Sequence, residues 1–341
     1  MLIAQGAAAA GAGEAAAVGM AGFGAVLTAS FGVFAVITLG AFLRRGGVLK
    51  PELDPTINRL ILQVFYPAFI FSKILGNDAL DDRANLIQAP LMGMLTIGLG
   101  YVVCRVVARA LGLGTPSNGG IAGEAGTFAV TAGMFNYGYI AFPLAETLFG
   151  DATVGALFLH NVGVEIMMWT VGLFLLSGRF GKQSLSNLVN MPMFAIALGI
   201  SLTLSGLDRF VPPFLARGIG MLGDCCIPVA LLFIGAFVFD NINRDLFTTR
   251  LKVPASACLM RLGLLPLMML GLVWLLPLTD EVTRVVLIQA AMPTAVFPVV
   301  LARQYGGDVK TAVRCVLATA LLSAVTIPLW IRFGMKVFLS E

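Results

Sequence analysis

The chain has 341 residues, of which 58% are hydrophobic and only 12% charged, with a net charge of +4. A soluble domain carries roughly 25% charged residues, so this composition excludes an ordinary globular protein. The scattered basic residues form no nucleic-acid surface, and five cysteines without ligand spacing, beside a single histidine, point away from disulfides and metal sites. Those cysteines, Cys104, Cys225, Cys226, Cys258 and Cys315, lie in apolar stretches and are expected to be small buried hydrophobes.

Residues 1–21 are rich in Ala and Gly and hold no Lys or Arg, so they lack the positive start of a secretory signal and read as a loose tail. A membrane helix needs about 20 mostly apolar residues. Ten stretches qualify: 22–43, 55–75, 87–110, 126–149, 152–178, 187–206, 213–239, 252–276, 283–303 and 309–336. The fold expected is therefore an all-α membrane protein of ten transmembrane helices. Short turns at Gly150-Asp151 and Gly306-Gly307-Asp308 join the fourth span to the fifth and the ninth to the tenth. With the N-terminus outside, and with Arg59 and Arg261 left out as residues within helices, 13 Lys and Arg fall in inward loops against 7 in outward ones. The positive-inside rule then sets both termini outside the cell's inner membrane.

The chain resembles itself. Gln63 stands four residues before Pro67 in the second span, and Asp224 four residues before Pro228 in the seventh. The glycine-aspartate turns that close the fourth and ninth spans are spaced similarly, which divides the chain into halves at 22–178 and 187–341 around a short cytoplasmic connector at 179–186. Five helices per copy is an odd number, so the second copy must insert upside down, as in many secondary transporters.

Two stretches at matching places in the halves break their helices: 134–143 (MFNYGYIAFP) and 291–298 (AMPTAVFP). An interior proline costs a helix about 3 kcal/mol. In a membrane the freed backbone groups must face protein or a wet cavity. Where each helix restarts, its unpaired N–H groups carry about half a positive charge, and two such ends can hold a carboxylate without a buried Lys or Arg. The alternative is a pair of ordinary proline kinks. Asn136, Tyr137, Gly138, Pro143, Pro293, Thr294 and Pro298 are the candidate substrate-binding residues.

These motifs resemble the auxin efflux carrier family, which includes plant auxin carriers and bacterial permeases for malate, malonate and similar acids. The resemblance rests on Asn136 with Pro143-Leu144, on Pro293 and Pro298 followed by 299–305 (VVLARQY), on 39–49 (LGAFLRRGGVL), on 64–71 (VFYPAFIF), and on Asn161 with 169–172 (WTVG). It covers about residues 30–333. It implies an inverted-repeat fold shared more distantly with bile acid:sodium symporters, a scaffold part and a panel part, an elevator-like movement around two crossed helices, and a homodimer. The chain departs from the family in its Ala/Gly tail, in the short turn at 179–186, and in lacking an asparagine in the ninth helix to match Asn136.

Ionisable residues in the bilayer cost about 2.5–3.5 kcal/mol each on insertion scales, and each asks for a reason. Glu165 and Asn161 share a helix face one turn apart, with His160 beside them. Glu165 reads either as a proton-coupling group or as a structural hydrogen-bonding residue. Asp224, one turn before Pro228, could take a proton, hold a cation or satisfy the disrupted helix, and Gln289, one turn before Pro293, is expected to line the cavity or back the break. Arg261 is expected to reach to the inner interface.

An enzyme is disfavoured because no paired aspartates, Ser–His pair or histidine cluster is present. The reading is a secondary carrier, without cofactor, for a small mono- or dicarboxylate. It is coupled to protons or to nothing in preference to sodium; a sodium symporter of the bile-acid type, or a channel or sensor, is the alternative.

Overall fold

The structure, a computed structural model, describes residues 24, 26–114, 123–178, 189–242 and 250–339. The tail at 1–21 and the connector at 179–186 lie outside the described residues. The described chain is all-helical apart from one isolated bridge. Its helices are α1 (Val26–Arg45), α2 (54–74), α3 (Arg83–Ala110), α4 (Glu124–Gly133), α5 (Ala141–Phe149), α6 (Asp151–Ser177), α7 (Met191–Leu204), α8 (Pro213–Asn241), α9 (Lys252–Leu275), α10 (Asp280–Ala291), α11 (Phe297–Tyr305) and α12 (Val309–Phe338).

Among the described residues, six helices, α1, α3, α6, α8, α9 and α12, are long and apolar enough to cross a membrane by themselves. Their outward faces carry large apolar side chains such as Phe31, Ile87, Val102, Trp274 and Val325, as a surface against hydrocarbon requires. The helix ends follow from local chemistry. Asp82, Asn190, Thr279 and Asp308 accept hydrogen bonds from the first backbone N–H groups of α3, α7, α10 and α12. Gly150, at φ +83°, makes the turn between α5 and α6 where a side chain would be strained.

Three helices contain a wide π turn, at Ile61–Phe65 in α2, Met168–Gly172 in α6 and Met260–Leu264 in α9. Two of them precede a proline. Pro67 and Pro266 lack the N–H that would bond the carbonyl four residues back. In α9 that freed carbonyl, on Leu262, accepts the indole N–H of Trp330 from α12 at 2.7 Å.

The helices pack in two groups. In one, α2 lies mainly on α7 and α8, while α1 meets α8 where Gly235 abuts the Ile37 carbonyl. In the other, α3 packs on α4 and α6, α9 and α10 pack on α12, and α10 packs on α6. Small residues let these backbones approach: a Cβ added at Gly133 of α4 would lie 2.7 Å from the backbone of Gly100 in α3. Arg44, at the end of α1, is buried and pairs with Asp54 of α2 at 2.6 Å and Asp240 of α8 at 3.1 Å, which locks the first group together.

Two burial expectations are corrected. Asp224 and Cys225 are exposed, because α8 turns at Cys225 and points both toward the outside of the chain. Arg261 is not at an interface; it is 1% exposed, in the centre of the second group.

Candidate functional site

The two broken stretches meet. Helix α4 ends at Gly133 and α10 at Ala291, and the extended residues beyond them form an antiparallel bridge between Phe135 and Thr294. The Asn136 N–H donates to the Pro293 carbonyl at 2.7 Å, and the Ala295 N–H donates to the Met134 carbonyl at 3.1 Å. Backbone groups that the prolines and the helix ends leave open are thus paired across the chain's two halves, as a buried backbone demands. Beyond the bridge the chain turns back into helix, α5 from one stretch and α11 from the other. Pro143 and Pro298 sit in the first turns of these helices, where no N–H is needed.

Around this crossing stands a layer of buried polar side chains. The amide of Asn161 donates to the Tyr137 carbonyl at 2.9 Å, and that of Gln289 reaches the same carbonyl at 3.4 Å and Asn161 Oδ1 at 3.3 Å. His160 Nδ1 lies 3.5 Å from Asn161 Oδ1, and its ring lies 5.9 Å from that of Phe135. Arg261 donates to the Ala290 carbonyl at 2.9 Å, at the open end of α10, and its guanidinium lies 5.4 Å from the Phe135 ring centre. The Thr294 hydroxyl, Gln289 Oε1 and His160 Nε2 are buried without a partner among the described residues.

A cavity of about 590 Å³ opens beside the crossing, between the two groups of helices. Asn136, Tyr137 and Gly138 form its wall on the crossing side, and Glu165 and Trp169 of α6 adjoin them. The facing wall comes from α2, α7 and α8, with Gln63, Tyr66, Asn190 and Phe233. Among the described lining residues Glu165 is the one acidic side chain, and none is basic. Its carboxylate accepts from the Tyr137 hydroxyl at 2.9 Å and from the Trp169 indole at 2.8 Å. Two of the three π turns carry lining residues, Ile61 with Gln63 and Met168 with Trp169, consistent with the frequent placement of such turns at functional sites.

The crossing thus gathers most of the sequence candidates. Asn136, Tyr137, Gly138 and Glu165 face the cavity. Pro293, Thr294, Asn161, His160 and Gln289 lie in the crossing or directly behind it, while Pro143 and Pro298 start the helices that leave it. Asp224 stands apart on the exposed bend of α8. Sequence reasoning did not single out Tyr66, Tyr139 or Asn190 of the lining, nor the central place of Arg261. Tyr66, beside Pro67, carries the one signal that could have been used, since that proline marks a disrupted turn facing the site.

A paired helix break beside a cavity between two helix groups points to a membrane transport protein. Residues 25–190 and 181–331 match the family described as membrane transport protein. The chain belongs to that family, the auxin efflux carriers its motifs resemble. An uncharacterized transporter of Methanothermobacter thermautotrophicus is 27% identical over 298 residues, covering 86% of this chain and 94% of that protein. An uncharacterized transporter of Methanocaldococcus jannaschii is 22% identical over 309 residues, again covering 86% and 94%.

Proposed function

We propose that the protein is a secondary carrier that moves a small organic anion, a mono- or dicarboxylate, across the inner membrane, binding it in the cavity beside the crossing. The observation that carries this reading is the backbone pairing of 134–136 with 293–295 next to that cavity. The first turns of α5 and α11 begin there, and their N-terminal N–H groups favour a carboxylate. Asn136 supplies an amide on one side, while the other break offers only backbone and Thr294, so the anion is held lopsidedly.

In this reading the broken pairs α4–α5 and α10–α11, together with α2 and α7, also cross the bilayer. The ten spans then form two inverted five-helix repeats, 22–178 and 187–341. The bend of α8 at Cys225, before Pro228, and the π turn of α2 before Pro67 fall at equivalent places in the two copies. Helices α1, α2, α7 and α8 form the scaffold of a homodimer; the remaining helices move past it as an elevator and carry the crossing with them. Both termini lie outside, and the cavity, which runs toward Asn58 and Asn190 at the starts of α2 and α7, faces inward.

Glu165 exchanges the coupling proton, because it lines the cavity and is tied through the Tyr137 hydroxyl to the substrate-binding stretch. Sodium coupling draws no support from the described residues, since Asp224, the other acidic candidate, is exposed away from the crossing. A thermal-shift screen of the purified protein against mono- and dicarboxylates, with and without sodium, tests the reading. Sodium-independent stabilisation by a subset of acids is expected; stabilisation by none of them, or only by neutral or cationic solutes, contradicts it.

A further inference from the structure

Arg261 occupies the wide π turn of α9, and its side chain is fully enclosed. It forms no ion pair with a described residue. Its contacts are the Ala290 carbonyl at 2.9 Å, the Gln289 carbonyl at 3.5 Å, the Met269 sulfur at 3.6 Å and the face of Phe135, while its Nε has no partner. A buried arginine normally sits against a carboxylate, which cancels its charge. Carbonyl oxygens and an aromatic face satisfy the N–H groups through partial charges only, and leave a full positive charge in place.

That charge stands directly behind the crossing. Gln289 and Ala290 carry carbonyls in the last turn of α10, its negative end, and Phe135 is the residue before Asn136 in the opposite break. Arg261 therefore offsets the helix end that would repel an anion at the crossing, and leaves the positive starts of α5 and α11 unopposed. In a low-dielectric interior a unit charge acts over many ångströms.

We infer that Arg261 is a specificity-determining residue: without touching the substrate, it makes the crossing end of the cavity electropositive and so selects anions over neutral or cationic solutes. The inference deepens the proposed function and rests on its choice of cavity, but its test needs no transported substrate.

The test reads the local potential. In the full-length protein, Ala295→Cys places a thiol on the cavity wall at the crossing. Its reaction rates with an anionic and a cationic methanethiosulfonate, the sulfonatoethyl and trimethylammonioethyl reagents, are followed by peptide mass so that native cysteines are read separately. Adding Arg261→Gln is expected to lower the anionic-to-cationic rate ratio on the order of tenfold, whereas Arg261→Lys, which keeps the charge and loses the paired donors, leaves it within about twofold. An unchanged ratio in Arg261→Gln overturns the inference, as does an equal fall in both variants, which would mark a purely structural role. Should Arg261→Gln not fold, Arg261→Met, which keeps an apolar stem without the charge, is read at Ala295→Cys in the same way. A lower anionic-to-cationic ratio than with Arg261 intact supports the inference, and an unchanged ratio contradicts it.

Discussion

The backbone of Asn136 is hydrogen-bonded to the carbonyl of Pro293 at 2.7 Å, across 157 residues of chain. The contact fixes the two helix breaks to each other through main-chain groups of the protein itself. Substitutions that damage the pairing should therefore act on binding more than on insertion. Ala295→Pro removes the N–H that donates to Met134, and loss of one buried hydrogen bond costs about 1–3 kcal/mol. The expected outcome is a protein that still inserts and purifies but shows no thermal shift with carboxylates. A wild-type shift would mean that the bridge does not shape the site.

Glu165 and Tyr137 share a hydrogen bond of 2.9 Å at the cavity wall. If the carboxyl exchanges the coupling proton, Glu165→Gln keeps most of the packing and stops proton exchange. In proteoliposomes this variant should lose uptake driven by a pH gradient and retain substrate exchange. Retained dependence on the gradient would remove Glu165 from coupling.

Lys73, near the end of α2, pairs with Glu146 of α5 at 2.6 Å and with Asp151 of α6 at 3.0 Å. These ion pairs bridge the two helix groups at the end of α2 opposite the cavity's lining, and in the proposed orientation an outward opening parts them. Partly exposed pairs contribute up to about 1 kcal/mol, enough to shift a two-state balance about fivefold. Lys73→Met should raise the reactivity of a cysteine placed in the cavity toward a membrane-impermeant reagent added from the outside. No change would mean that the cluster does not hold the described state.

Gly133 and Gly100 bring α4 and α3 into backbone contact. Gly133→Val has no room for its side chain and should lower the apparent melting temperature by several degrees or more, since overpacking costs about 1–3 kcal/mol. Gly138, which has open space around its Cβ position, should accept Ala with little loss of stability. Equal melting temperatures for wild type and Gly133→Val would argue against this packing.

Six of the ten expected spans were legible because such helices announce themselves by length and apolarity, and the breaks because Pro143, Pro293 and Pro298 sit inside apolar runs. That the two breaks cross was expected from their matched places and from the family resemblance, but how they join was not legible: the pairing of Asn136 with Pro293 uses backbone groups, which leave no trace in side-chain identity. The π turns escaped for a related reason. A proline such as Pro266 shows that a carbonyl is freed but not that the turn widens, or that Trp330 from another helix takes up the Leu262 carbonyl. Arg261 was misplaced because a lone arginine in an apolar run usually reaches for the interface. Its true partners are main-chain oxygens of another helix end, invisible to pattern reading. Asp224 was misplaced for the opposite reason, because the bend at Cys225 turns it outward while the apolar run around it suggests burial.

The most direct test of the central claim is counterflow in proteoliposomes loaded with the carboxylate that most stabilises the protein, comparing wild type with Asn136→Ala. The account predicts saturable, trans-accelerated uptake by wild type and its loss in the correctly inserted variant. Undiminished counterflow in Asn136→Ala would contradict it.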